Sequence, residues 1–483
     1  MTEDTKNLLE RLKIIKPEKE YKLTDLAYGR FFAKIFEDQA RFNVTTKSWY
    51  IYNGKIWTDD ESQFLTVHQY AKELYDALLL YALDLPDGAL TANFVSWVSK
   101  YSHLSKRETL IRDARSEFFF TKEDLDSNIY KFNCLNGTLD LKSFEFCPHS
   151  PTDLLSKISN VIYDPDAKSP RWEKFIDEVL EGNADKIKYI QKILGYCLTG
   201  LTEAEQFFIL YGSKTRNGKS SLVETFGHML GGSNGYALTI QPETLAVKTN
   251  KDSRTHTTDI ARLRGCRFVN APEPPSRMHL DTALVKNWTG GDTISAREIF
   301  EKQTEFRPQF KLLMNTNWLP SITDRTLFSS RRVNIIEFNR HFLPHEQDSS
   351  LKATLREPDN ISGIFNWCLE GLREYYRDGL NPPDCVVNAN NRYYKNSDKV
   401  QLFIDDCLVK SGQNVKAGTV YSLYMTWCND NQVSTLSKSL FFEELKLKNL
   451  FAKIGTVEGK TEHNVLLGHE LSCEYKQSME ETA

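Results

Sequence analysis

Between residues 205 and 340, short apolar runs alternate with longer stretches of helical spacing. The runs are FFILYG (207–212), CRFVNAP (266–272), FKLLMNTN (310–317) and RRVNIIEF (331–338). Strand-length apolar runs alternating with helical segments predict a parallel, three-layer α/β sheet. RWEKFIDEVLEG (171–182) and ADKIKYIQKILGYCLTG (184–200) read as two helices feeding the first run. After the last run, 355–379 is again helical, and Asn381-Pro382-Pro383-Asp384 ends it.

The flanks carry other periods. LTDLAYGRFFAKIFED (23–38) has the 3.6 spacing, with Thr24 or Asp25 as cap and Leu26, Phe31, Phe32 and Ile35 on its apolar face. WYIYNGKIW (49–57) reads as a hairpin turning through Asn53-Gly54 in a type I′ turn. Residues 63–118 look helical, and 131–151 return to short strands. From about 396, helix, helix and hairpin follow, the order of a winged helix-turn-helix. The expected division is therefore an α+β domain (1–165), a helical collar (166–204), the sheet domain (205–345), a helical extension (346–395) and the carboxy-terminal unit (396–483).

The chemistry starts where the first run ends. Gly212-Ser213-Lys214-Thr215-Arg216-Asn217-Gly218-Lys219-Ser220 is a phosphate-binding loop with one residue more than G-x-x-x-x-G-K-[ST] allows. A strand enters it and an apolar helix leaves it, so backbone N–H groups and the helix N-terminus face a phosphate. Gly212, Asn217, Gly218, Lys219, Ser220 and Ser221 are the expected ATP site. Lys219 would contact the β- and γ-phosphates, and the Ser220 hydroxyl would bind Mg²⁺. The second run ends in Glu273, a candidate base and Mg²⁺ partner, although Pro272 stands where a second acid is common. The third ends in Asn315 and Asn317, amides able to orient water. Arg331 and Arg332 open the fourth and could reach a neighbouring subunit's γ-phosphate.

Length and composition narrow the class. The chain has 483 residues, roughly three domains' worth. With 40% hydrophobic and 26% charged residues it is an ordinary globular composition. Nine scattered cysteines without a C-x-x-C pair argue against a disulfide or zinc framework and fit a reducing cytoplasm. No run of eighteen apolar residues suggests a membrane span, so membrane partners are not expected. Net charge is −4, yet residues 250–340 hold 15 Lys+Arg against 10 Asp+Glu, which puts a local +5 where nucleic acid could be gripped.

Taken in order and spacing, LYGSKTRNGKS, ARLRGCRFVNAPE, VKNWTGGDTISAR, FKLLMNTNWLP and SSRRVNIIEF resemble superfamily 3 helicases. More narrowly, they resemble the helicase part of phage, plasmid and poxvirus-type primase-helicases. The likeness is strong over 205–340 and extends more weakly back to about residue 60 through NGTLDL. It implies an AAA+-like core, a homo-hexameric ring, ATP hydrolysis between subunits and 3′→5′ movement on single-stranded or forked DNA. It also makes Lys219 and Ser220 the Walker A pair, Glu273 the Walker B acid, Asn317 the sensor, and one of Arg331 and Arg332 the arginine finger. Only about sixty residues precede the resembling region, too few for a primase domain, so the chain reads as a helicase that would work with a separate primase or initiator.

In such helicases a hairpin between the acid and asparagine strands grips the DNA backbone. TISAREIF and TEFRPQF match it, with Arg297 on the first strand and Lys302 near the tip. Lys438, Lys446 and Lys448, with wing residues Lys453 and Lys460, would give the carboxy-terminal unit a modest basic face for DNA, or that unit docks protein. An ATP-regulated origin-binding initiator and an AAA+ motor acting on protein are the competing readings. The expected setting is the cytoplasm of a bacterial host carrying a phage, plasmid or genomic island.

Overall fold

A computed structural model of the chain describes residues 3–60, 64–247, 258–275, 278–296, 304–322, 324, 326–431 and 435–472. The chain divides into two compact units. One is Met1–Pro320 with Arg332–Pro383, and the other is Ser321–Arg331 with Asp384–Ala483.

The first unit is built on a five-stranded sheet in the order Val333–Glu337, Phe207–Tyr211, Lys311–Thr316, Phe268–Ala271, Ala237–Thr239. All four pairings are parallel, with Phe207 beside both Leu312 and Val333, and Phe268 beside Lys311. The four longer strands are those the apolar runs predict, and their residues are almost all buried because helices cover both faces. The fifth strand, Ala237–Thr239, is a three-residue edge that leaves no readable run. Parallel pairing collects the strand ends at Tyr211, Ala271 and Thr316 along one edge of the sheet.

At the opposite edge two cations are fully buried. Arg267, 1% exposed, precedes the Phe268–Ala271 strand and donates to the carbonyls of Leu198 and Lys131, each at 2.5 Å. Its guanidinium also lies over the rings of Tyr236 and Phe132. Lys311, 3% exposed, starts the next strand and donates to the carbonyls of Thr199, Leu201 and Gln309. An ammonium has three donors and here meets three acceptors, which is how a charge is retained without a carboxylate. Burial nevertheless pushes the Lys311 amine down to about 7. The carbonyls belong to the segments that lead into the Phe207–Tyr211 and Lys311–Thr316 strands and to Lys131 of a separate small sheet, so both strands are pinned at their feet.

The two helices expected ahead of the loop are Pro170–Val179 and Ala184–Tyr196. The second packs along Pro358–Asp378, the helix predicted behind the sheet. Their approach is set by glycines: a Cβ on Gly195 would lie 2.3 Å from the Leu372 nitrogen, and one on Gly371 would lie 2.0 Å from the Gln191 carbonyl oxygen.

Towards the amino terminus, Asp25–Phe36 is helical with Thr24 as its cap, accepting from the Ala27 N–H at 3.3 Å. Phe31, Phe32 and Ile35 are buried, whereas Leu26 is not. The helices Leu65–Leu83, Ala89–Ser99 and Leu104–Ala114 complete this core. Ser48–Tyr52 and Trp57–Asp59 do form a hairpin, but its turn differs from expectation. Four residues connect the strands, and the Asn53 side chain accepts from the Lys55 and Ile56 N–H groups at 3.0 and 2.9 Å. A type I′ turn needs positive φ at both central residues, and of these only Gly54 has it.

The second unit has helices Asp384–Ser397, Lys399–Cys407, Ala417–Asp430 and Lys438–Leu447, and a sheet ordered Val415–Lys416, Lys460–Leu466, Phe451–Val457. Phe403, Tyr424, Trp427 and Phe441 are packed at its centre. The helix, helix and hairpin expected after about residue 396 are Ala417–Asp430, Lys438–Leu447 and the Phe451–Val457/Lys460–Leu466 pair, and the helix Lys399–Cys407 precedes them. Among the described residues all cysteines are free thiols, and no helix is long and apolar enough to cross a membrane.

Candidate functional site

The loop after Phe207–Tyr211 is shaped by its glycines. A Cβ on Gly212 would lie 2.3 Å from the Asn217 amide nitrogen and 2.5 Å from the Phe338 carbonyl oxygen, and Gly218 has φ +83 with the Val179 side chain against it. Helix Lys219–Met229 begins directly after Gly218 and has no side-chain cap. Its first N–H groups therefore point out of the loop without the usual hydroxyl or carboxylate partner. Asn217, 4% exposed, donates to the Lys214 carbonyl at 2.7 Å and closes the loop on itself.

The additional residue has a structural use. The Thr215 carbonyl accepts from His341 Nδ1 at 2.7 Å, and the Arg216 carbonyl accepts from the Phe342 N–H at 2.9 Å. Arg216 itself adopts φ +56 and donates to the Gln347 side chain at 2.5 Å. The outer bend of the loop is thus tied to the segment following Val333–Glu337. The Asn217–Ser220 end is left with its ordinary strand–turn–helix geometry.

Three residues predicted from three separate runs meet here. Lys219, 5% exposed, donates to Asn317 Oδ1 at 2.8 Å and to the Gly212 carbonyl at 3.2 Å. Asn317 in turn donates from Nδ2 to Glu273 Oε2 at 3.1 Å. Lysine can only donate and a carboxylate can only accept, so the chain fixes the amide's orientation. Asn315, the other predicted amide, sits within its strand, and its Oδ1 is buried without a partner. Glu273 is exposed, and Ser220 and Ser221 lie at the helix start, exposed and half-buried.

Beside Gly218 and Ser221 opens a cavity of about 200 Å³. Phe175, Phe342 and Leu351 supply its apolar wall, and Arg171 and Arg216 its cations. Arg171 also faces Asp348 at 3.3 Å. Apart from Arg216, which lies in the loop itself, none of these residues belongs to a motif. Phe342 and Leu351 reach the loop only because the last strand returns the chain beside it, a placement that local sequence does not signal.

The two arginines part company. Arg332 donates to Glu205, to Thr289 Oγ1 at 3.1 Å and to the Lys286 carbonyl at 3.2 Å. Arg331 is exposed at φ +57. The predicted hairpin is present at its base, where Ile294–Ala296 pairs antiparallel with Thr304–Phe306. Arg297 and Lys302 lie outside the described residues.

Two expectations about charge need correction. Lys448 was expected on an exposed basic face. It is instead held by Asp398 at 2.5 Å and Gln401 at 2.9 Å, with its side chain 14% exposed, so it serves the fold of its own unit. Lys438 and Lys446 remain on the helix Lys438–Leu447, with Lys438 over the Phe442 ring. The +5 of residues 250–340 is also less available than a count suggests. Arg267 and Lys311 are buried, and Arg264, Arg332 and Arg340 face Glu123, Glu205 and Glu346.

The loop suits a polyphosphate with Mg²⁺. It combines a buried ammonium, an uncapped helix start and glycines where a side chain would block approach. Among the described residues no cluster of three acidic, histidine or cysteine side chains could hold a metal ion alone. A Mg²⁺ here would depend on Ser220, Glu273 and the phosphates it arrives with. Burial lowers the Lys219 amine to about 8, and Glu273 only partly opposes that. A bound polyphosphate favours the ammonium and raises that value, so binding takes up a proton when the free amine is partly neutral. Nucleotide affinity is expected to be flat below about pH 7 and to fall above pH 8, by up to tenfold per unit. Calorimetry at pH 8 in buffers of different ionisation enthalpy should register roughly half a proton absorbed.

This geometry defines an α/β protein with a glycine-shaped loop at the end of a parallel sheet, and comparison with known proteins gives its relatives. Residues 29–181 match the model described as "D5 N terminal like", residues 210–332 a family of unknown function (DUF5906), and residues 395–462 "Poxvirus D5 protein-like". A "Putative helicase" of Acanthamoeba polyphaga mimivirus is 29% identical over 64% of this chain and 34% of its own length. A "Putative helicase" of Invertebrate iridescent virus 3 is 22% identical over 92% of this chain and 54% of its own. A "Putative primase" of African swine fever virus is 22% identical over 69% and 37%. Among solved structures, the NrS-1 C-terminal region aligns over 91% of this chain and 99% of its own, at 12% identity and a TM-score of 0.48. The chain thus carries two segments that match D5-like models and is similar to proteins of large DNA viruses named putative helicases and putative primases, and it spans about a third to a half of the length of these viral relatives.

Proposed function

We propose that this chain is one subunit of an ATP-driven DNA helicase that assembles as a hexameric, AAA+-like ring and moves 3′→5′ along single-stranded DNA. The observation that carries this is the hydrogen-bonded chain Lys219–Asn317–Glu273 at the mouth of the loop. Lys219 and the helix N-terminus would hold the β- and γ-phosphates, and Ser220 the Mg²⁺. Glu273 would accept a proton from the attacking water, which the Asn317 amide would orient. The cavity between Phe175, Phe342 and Leu351 has the apolar walls a nucleobase requires. ATP supplies the phosphoryl chemistry, and the protein contributes position and charge.

This arrangement contains one cation, Lys219, and phosphoryl transfer generally uses a second. Arg332 stands at the start of a strand whose far end, at Phe338, adjoins Gly212. Six residue steps of strand separate the two, roughly 20 Å. An arginine at that start is badly placed for its own loop and suited to a neighbour's, which favours hydrolysis between subunits. With Arg332 committed to Glu205 and Thr289, Arg331 is the residue assigned to that role.

The deciding experiment measures ATP turnover with and without single-stranded DNA, alongside unwinding of a forked duplex. DNA should stimulate turnover, and Lys302→Ala should keep turnover while losing unwinding. Turnover indifferent to DNA would sink the helicase reading and leave a motor acting on protein. We read the second unit's helix, helix and hairpin as a winged helix. Internal use of Lys448, with Leu440 and Leu447 exposed beside Glu443, favours protein docking there over duplex binding.

A further inference from the structure

The boundary between the two units falls between the two arginines. Arg332 begins the return into the first unit, where Glu205, Thr289 and the Lys286 carbonyl hold it. Arg331 is the last residue of the Ser321–Arg331 segment, which belongs with residues 384–483. Within that unit the Phe328 ring packs against Tyr393 at 5.5 Å and 62° and against Tyr394 at 5.3 Å and 53°. Leu327 is completely buried and Ile322 is 4% exposed. The short helix Thr326–Ser329 is capped by Asp324, which accepts from the Thr326 N–H and hydroxyl. It ends as the Arg331 N–H donates to the Phe328 carbonyl at 2.9 Å. Arg331 then turns at φ +57, a conformation that non-glycine residues seldom adopt.

We infer that Phe328, Tyr393 and Tyr394 are positioning residues for Arg331, so that the second unit sets where this arginine points while Arg332 fixes the strand behind it. The segment carrying Arg331 is a loop of the ATPase in sequence and part of the carboxy-terminal unit in space. On this reading the Phe328, Tyr393 and Tyr394 contacts fix Arg331, while hydrogen bonds within the first unit hold the Lys219–Asn317–Glu273 chain. This inference rests on the reading of Arg331 as the cation supplied to a neighbouring subunit.

The test uses the full chain and compares Phe328→Ala and the pair Tyr393→Ala/Tyr394→Ala with Arg331→Ala. Both aromatic variants should lower kcat by about tenfold or more while the KM for ATP changes by less than about threefold. Tyr393→Phe/Tyr394→Phe keeps the ring faces and should recover most of the rate. Co-assembly with excess Lys219→Ala subunits supplies intact Arg331 to each impaired neighbour and should restore turnover in the aromatic variants as it does in Arg331→Ala. Wild-type kcat in Phe328→Ala overturns the inference. So does a loss that Lys219→Ala subunits cannot restore, because the damage would then lie in the variant's own site. If Arg331→Ala itself turns over normally, the reading of Arg331 fails and this inference falls with it.

Discussion

Lys219→Ala is expected to lose ATP turnover by roughly 10³-fold, with nucleotide binding weakened and the fold retained. Lys219 is 5% exposed, and its ammonium is the only cation in the hydrogen-bonded chain with Asn317 and Glu273. Removing it leaves Asn317 Oδ1 and the Gly212 carbonyl without this donor and removes the positive charge that would face the phosphates of a bound nucleotide. Single-turnover hydrolysis together with fluorescent-nucleotide binding separates the two losses. Asn317→Asp sharpens the test. It preserves an acceptor for Lys219 but sets a second carboxylate about 3 Å from Glu273, where two like charges cannot both ionise cheaply. If Glu273 is the base, turnover in Asn317→Asp should shift along the pH axis, whereas Asn317→Ala should lose rate at every pH. A Lys219→Ala protein that hydrolyses ATP normally would remove the loop from the chemistry altogether.

The two adjacent arginines should behave in opposite ways. Arg331→Ala is expected to leave the melting temperature within a degree or two and to reduce turnover by about 10²–10³-fold, because its side chain is exposed and only the proposed neighbour requires it. Arg332→Ala is expected to destabilise the protein by about 2–3 kcal/mol. That substitution leaves the Lys286 carbonyl and the Thr289 hydroxyl without their guanidinium and Glu205 without its ion pair. Thermal unfolding and turnover measured on both variants distinguish the cases. Equal loss of turnover without any difference in stability would mean that the division of labour between the residues is wrong.

How much of this could be read from sequence depends on whether the relevant signal is local. Four strands were legible because a strand buried on both faces must be a continuous apolar run. Ala237–Thr239 was not, since an edge of three residues leaves no run. The loop was legible through its glycines, even with a residue to spare. The use of that residue was not, because His341 and Phe342 lie more than a hundred positions away. Lys219, Glu273 and Asn317 could each be nominated from a strand end, and parallel pairing then brings strand ends together. Charge was the least readable property. A sequence gives the sign of Arg267, Lys311 or Lys448 but not its partner, and each proved committed to the interior. Asn53-Gly54 shows the same limit at short range: the pair announces a turn, while the Asn53 side chain selects which one.

The buried cations at the feet of the Phe268–Ala271 and Lys311–Thr316 strands bear on how this architecture can change over time. Their acceptors are main-chain carbonyls at Lys131, Leu198, Thr199, Leu201 and Gln309, and every amino acid carries a carbonyl. Substitutions at those acceptor positions therefore leave the attachment in place so long as the backbone keeps its path. No compensating exchange of residues is ever demanded, and paired changes across a family would carry no trace of one of the firmest connections in the molecule. An insertion that shifts the backbone by a single carbonyl, by contrast, would strand a positive charge in the interior. Drift in side chains is permitted there, and drift in length is not.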